Sequence, residues 1–147
     1  MIDLGEIEIK TKKDFQIIDI TDRINKYISK RKIRNGIAVI TTKHTTTSIR
    51  INEKEQRLLR DMKKFLEELA EKEKGYLHDC IEKRKDCPKN EPKNAHAHLQ
   101  SLLMGASETV PIKNGKLDLG KWQRIFFIEL DGPRRRNYSL SIITDKD

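Results

Sequence analysis

The pair Asn114-Gly115, set between two short alternating segments, places the tightest limit on how this chain folds. A two-residue type I′ turn needs positive φ at both central positions, which Asn and Gly tolerate best. Residues 108–112 and 116–119 must then pair antiparallel, and one face of that hairpin has to be buried against something. More strands are available for the purpose. Ile7 and Ile9 alternate with Glu6, Glu8 and Lys10, residues 15–20 form a more continuous apolar run, and residues 36–41 are β-branched enough for a central strand. Ile49 and Ile51 alternate with Arg50 and Asn52, and residues 124–130 and 137–143 complete the set. The last two are joined through Asp131-Gly132-Pro133, a turn by composition.

Helices are fewer. Thr21 is placed to cap a short one carrying Ile24, Tyr27 and Ile28. The clearest helix covers residues 53–72, with Leu58, Leu59, Met62, Phe65, Leu66 and Leu69 on one face. Asn52 reads as its cap and Gly75 as its stop. Another helix over residues 99–104 closes at Gly105, whereas residues 80–93, with Pro88 and Pro92, read as an irregular connection. This order of elements predicts an α+β class, in a single domain over residues 1–147 that is long enough to bury a core.

Lys and Arg outnumber Asp and Glu by 31 to 23, for a net charge of +8. The positive residues are spread along the chain, with acids interleaved over residues 53–73. Only Lys30-Arg31-Lys32 with Arg34, and Arg134-Arg135-Arg136, form local basic clusters. This fits the Lys/Glu surface of proteins from hot environments better than a nucleic-acid footprint, and a basic pocket for a phosphorylated small molecule fits equally. No apolar stretch nears the ~20 residues of a membrane span. Residues 1–6 lack the basic and apolar regions of a secretory signal, so a cytoplasmic protein without a membrane role is expected. Cys80 and Cys87 are too few for a disulfide framework or a four-thiolate zinc site. They read as ordinary thiols or a bridge across a loop, and a mixed site of Cys80 with His78 stays open.

All four histidines sit in polar motifs: His44-Thr45-Thr46-Thr47-Ser48, Tyr76-Leu77-His78-Asp79 and Asn94-Ala95-His96-Ala97-His98. Imidazole is the commonest side-chain metal ligand and the usual proton carrier near neutral pH. In a strand, His96 and His98 would share a face and bind one ion; in a helix they would diverge by roughly 200°. The sequence leaves that choice open. Consecutive hydroxyls with backbone N–H groups suit an anion, and Glu53 reads as a dipole-complementing residue or a catalytic carboxylate. Asp79 is placed to orient a histidine or act as a ligand, and Trp122 to stack on a flat ring or to pack. Arg134 is a phosphate fork or a surface charge.

Taken in order, these motifs resemble the YjbQ family, also described as secondary thiamine-phosphate synthases. The likeness runs from His44-Thr45-Thr46 with Ile51-Asn52-Glu53, through His78-Asp79 and Asn94-Ala95-His96-Ala97-His98-Leu99. It continues through Leu119-Gly120-x-Trp122-Gln123 and Glu129-x-Asp131-Gly132-Pro133-Arg134. Resemblance implies an α+β fold with a mixed, barrel-like sheet and two or three helices, a homotrimer, and a histidine pocket near a subunit boundary. It also implies a divalent metal, zinc or magnesium, or an anion in that pocket. The implied activity is a weak transferase reaction that joins a pyrimidine pyrophosphate to a thiazole phosphate and releases pyrophosphate. On that reading His44, Glu53 and Asp79 are catalytic, and His78, His96 and His98 hold the metal or donate protons. Thr45, Thr46 and Arg134 contact phosphate, Trp122 stacks on the ring, and Asn94 and Gln123 complete the substrate contacts. Thr47-Ser48 depart from a smaller Ala-Gly pair, adding hydroxyls and bulk to the pocket, and Lys121 replaces a threonine. The alternatives are a metal-dependent phosphohydrolase and a basic nucleic-acid-binding module with a vestigial pocket.

Overall fold

The computed structural model describes residues 1–88 and 90–144. Its elements run β1 (Ile2–Lys10), β2 (Gln16–Asp19), α1 (Thr21–Lys30), β3 (Gly36–Thr41), β4 (Thr47–Glu53) and α2 (Gln56–Leu69). There follow α3 (Ala95–Met104), β5 (Ser107–Lys113), β6 (Lys116–Leu117), β7 (Gln123–Glu129) and β8 (Arg135–Ile143). The strands form a five-stranded sheet, β1-β8-β3-β5-β6, and a three-stranded sheet, β2-β7-β4. Both sheets and α1 close on one core, to which Ile24, Ile40, Ile49, Phe127 and Leu140 contribute fully buried side chains. This is the expected α+β architecture with three helices and barrel-like sheets. Every ladder among the described residues is antiparallel, so the sheets are not mixed in strand direction.

The Asn114-Gly115 turn forms as its residues require, with φ of 53° and 82°, and it sets Ile112 opposite Leu117. β3 lies between β5 and β8, and its inward residues Ala38 and Ile40 are wholly buried. The apolar run of β7 has a different cause. Ile125 and Phe127 face the main core, while Phe126 and Ile128 pack with Ala97 and Leu130 in a second cluster beneath the helices. A strand covered on both faces has no polar face to alternate with.

Helix boundaries move for local reasons. Thr21 does not cap α1: Ile20 holds that position, and the Thr21 hydroxyl accepts the Ile125 N–H at 2.8 Å. Asn52 does not cap α2, because β4 continues through Glu53. The Glu55 carboxylate takes that role and accepts the N–H groups of Arg57 and Leu58. α2 stops at Leu69, well before Gly75, and of its apolar face only Leu66 is buried, while Phe65 is 62% exposed. α3 begins at Ala95 rather than at residue 99, and both histidines of the His-x-His motif fall inside it. Among the described residues no helix is long and apolar enough to cross a membrane.

Candidate functional site

The site is built around the start of α3. A helix leaves its first N–H groups without partners. Here the Ala95 N–H is taken not by Asn94 but by the Asp79 carboxylate, at 3.0 Å. The Asn94 side chain is thereby freed to bridge outward. Its Nδ2 donates to Asp131 at 2.8 Å, and its Oδ1 lies 3.2 Å from His78 Nε2. Since Asp131 is the acceptor on one side, the amide presents oxygen to the imidazole, and His78 Nε2 must be the donor. The His78 ring meets the His98 ring edge-on, with centroids 4.9 Å apart and planes at 71°. Arg134 closes the chain of contacts. Its guanidinium donates to the Asp131 carboxylate and carbonyl, so it is occupied by the protein itself.

His98 looks from this cluster into a cavity of about 520 Å³, whose lining also includes Lys43, His44, Thr45 and Ser101. His44 arrives from the loop between β3 and β4. Its Nε2 lies 3.0 Å from the Asn137 side-chain oxygen and 3.2 Å from the Asn137 backbone N, so Asn137 holds the ring through that nitrogen. Burial, followed by the neighbouring His78, pushes the His98 pKa below the ordinary 6.5 and keeps the ring neutral. Two imidazoles, His98 held neutral by burial and His44 held by Asn137, therefore border one cavity.

The helix separates the remaining members of the expected metal set. His96 lies on another face of α3 from His98, buried to 7% exposure, with its Nδ1 unpartnered. It lines a distinct cavity of about 50 Å³ with Asp14, Lys72 and Gln100. Burial first, and then the Lys72 charge, lowers its pKa as well. His78, His96 and His98 therefore cannot hold one ion within a chain. Among the described residues no three His, Cys, Asp or Glu side chains are grouped to do so. A catalytic zinc commonly takes three protein ligands and an open position, so the residues of a single chain do not fit one. Cys80 and Cys87 are free thiols.

Other expected contacts are committed elsewhere. Thr46 is buried and its hydroxyl accepts from Arg136 at 2.9 Å, whereas Thr45 is exposed on the cavity rim. Thr47 and Ser48 add nothing to the pocket. Both are wholly buried, bonded to Thr42 and to the Gly105 carbonyl. Glu53 and Gln123 are cross-strand partners at the opposite end of the β4–β7 ladder from the Thr47–Glu129 pair. That end is about 20 Å away at roughly 3.3 Å per strand residue. Trp122, 63% exposed beneath the Lys121 ammonium, is also there. Within one chain these three do not share the His44–His98 cavity.

Sequence reasoning gave no role to Glu129, Arg136 and Asn137. Glu129 is wholly buried, paired with Arg136 at 2.8 Å, and it accepts the N–H groups of Leu130 and Asp131. It thus sets the backbone that presents Asp131. The available signal was a lone carboxylate inside the apolar run of residues 125–130, since a charge there needs a partner. Asn137 orients His44 across the fold, and nothing in its local sequence announces that.

A family model described as "UPF0047 protein YjbQ-like" matches residues 5–145. A UPF0047 protein of Archaeoglobus fulgidus is 44% identical over 131 residues, covering 89% of this chain and 94% of the relative. A solved YbjQ-like protein of unknown function from Sulfolobus solfataricus superposes with a TM-score of 0.88 at 34% identity, covering 99% of both chains. A hypothetical protein from Aeropyrum pernix gives 0.87, also at 34% identity, covering 97% of this chain and 99% of that one. These findings overturn the expected thiamine-phosphate synthesis. The matched proteins are of unknown function, and none is described by that activity, by phosphate hydrolysis or by nucleic-acid binding.

Proposed function

We propose, on the premise that this chain belongs to the UPF0047 protein YjbQ-like family, that it performs acid–base chemistry on a phosphorylated small molecule in the cavity between the His44 loop and α3. One observation carries the reading: His44 and His98 line the same cavity from unrelated elements. Burial holds His98 neutral, and Asn137 fixes the His44 ring beside the same cavity. General acid–base catalysis asks for groups placed to give and take a proton within one cavity. Lys43 and Thr45 on the rim suit a phosphate oxygen. His78, anchored through Asn94 to Asp131, positions His98 and resists its protonation.

A divalent ion, zinc or magnesium, belongs to this proposal only with a donor from the substrate or from a second copy of the chain. A homotrimer is the assembly we assign, since Leu102 and Leu103 of α3 stand 77% and 64% exposed beside the cavity. Free Cys80 and Cys87 support a reducing, cytoplasmic setting.

Imidazole proton NMR during titration with inorganic phosphate tests the reading. The His44 and His98 resonances should move together, with His96 unmoved, and His98→Ala should weaken phosphate binding at least tenfold. Phosphate binding that leaves both rings unshifted would sink the proposal. Elemental analysis of the wild type and of His78→Ala/His98→Ala, run beside it, decides the metal. An ion present in the wild type and lost from the variant supports the outside-donor site, and a metal-free wild type removes it.

A further inference from the structure

His44 also borders a second and larger concavity of about 590 Å³, where β1 finishes and β8 begins. Its lining is cationic: Lys10, Arg23 and Arg135 surround it with His44 and Asn137, and Glu8 is the one carboxylate among the lining residues. Lys10, Arg23 and Arg135 make no ion pair among the described residues, whereas Arg136, also at the wall, is neutralised by Glu129. The strand register sharpens the point. Lys10 sits directly opposite Arg135 in the β1–β8 ladder, and Glu8 opposite Asn137. Like charges facing each other across strands repel, with Cβ atoms only ~5 Å apart. A third cation, Arg23 of α1, converges on the same space from another element. Three unpaired cations against one carboxylate leave an uncompensated field in a concave wall, which concentrates anions.

We propose that this concavity is a second binding site, taking a compact oligophosphate: an inorganic di- or triphosphate, or the same group on a small molecule. Among the described residues no Phe, Tyr or Trp side chain lines it, and the His44 imidazole is its one ring, a small platform for stacking a base. The cations converge on one hollow rather than running as a stripe along the surface, and Ile9 is its one aliphatic wall. The ligand is therefore recognised by its charge and its oxygens. His44 borders this hollow as well as the imidazole cavity, and that is the only residue the two proposals share.

Isothermal titration with inorganic triphosphate at low salt tests the site. The wild type should bind one triphosphate per chain, and Lys10→Gln/Arg135→Gln should lose about tenfold or more in affinity. Arg23→Gln, on a separate element, should lose severalfold, and His98→Ala should change affinity less than about twofold. Because the Lys10–Arg135 pair is repulsive, the double variant should melt no lower than wild type, which separates lost binding from lost folding. If the double variant melts lower, Arg23→Gln decides alone. Unchanged affinity in the cation variants, loss on His98→Ala only, or no binding by the wild type would each overturn the proposal. A single-stranded oligonucleotide that binds and is not displaced by triphosphate would also overturn it, in favour of a nucleic-acid surface. Failure of the imidazole reading leaves these outcomes untouched, since none of them depends on His98 shifting with phosphate.

Discussion

Glu129 carries more of this molecule than its silence in the sequence suggests. Its two carboxylate oxygens accept from Arg136, from the Thr11 hydroxyl and from the N–H groups of Leu130 and Asp131. Replacing it by Ala strands Arg136 as a buried charge, because that side chain is only 8% exposed. The expected cost is about 3–5 kcal/mol, measured by urea unfolding. Glu129→Ala should also loosen Asp131, and with it the Asn94–His78 contact, so the His78 and His98 resonances should broaden together. A second prediction concerns acid. Burial lowers the pKa of both His96 and His98 below 6.5. The unfolded chain then takes up protons that the folded chain refuses, so stability present above pH 6.5 is lost as pH falls through it toward the folded values. Urea midpoints should drop between about pH 7.5 and about pH 5, and His96→Gln should shrink that drop. An unchanged drop in the variant would mean His96 does not contribute.

At the scale of elements, α3 is held at both ends by residues outside it. Asp79 caps its start. Gly105 ends it at φ 86°, and a Cβ there would collide with the Arg50 guanidinium, which is itself paired to Glu108. Gly105→Ala therefore combines a left-handed backbone with a clash, and should destabilise by more than about 1 kcal/mol. Arg50→Ala placed in the same background should restore part of the loss, since it removes the colliding group; thermal melts of the three proteins check this. Failure of Arg50→Ala to help would assign the cost to backbone conformation alone. α2 contrasts with α3. It is strongly two-sided in sequence, yet Phe65 and Leu69 remain open at 62% and 51%.

At the scale of the whole molecule, the exposed leucines of α3 bear on assembly. Sedimentation equilibrium should give three times the mass of one chain. Leu102→Glu/Leu103→Glu should shift it toward the single chain, because a charge at the centre of an apolar contact is costly to bury. A wild-type mass of one or two chains would refute the homotrimer.

What depends on neighbours along the chain is legible in the residues alone. The Asn114-Gly115 hairpin, the alternation of β1 and β4 and the α+β order follow from short-range sterics and periodicity, and the family motifs are legible as residues in a shared order. The sequence also singled out all four histidines as candidates, because unusual residue types in polar motifs are visible without coordinates. Which of them meet is set by long-range packing. His96 and His98 part company because Asp79, distant in sequence, caps a helix that runs through both. Glu53, Gln123 and Trp122 fall away from His44 because the register of β4 against β7 sends them to the far end of the ladder. Lys10 and Arg135 become neighbours only when the two ends of the chain pair as β1 and β8. Long-range strand pairing sets such distances, and no local preference encodes it.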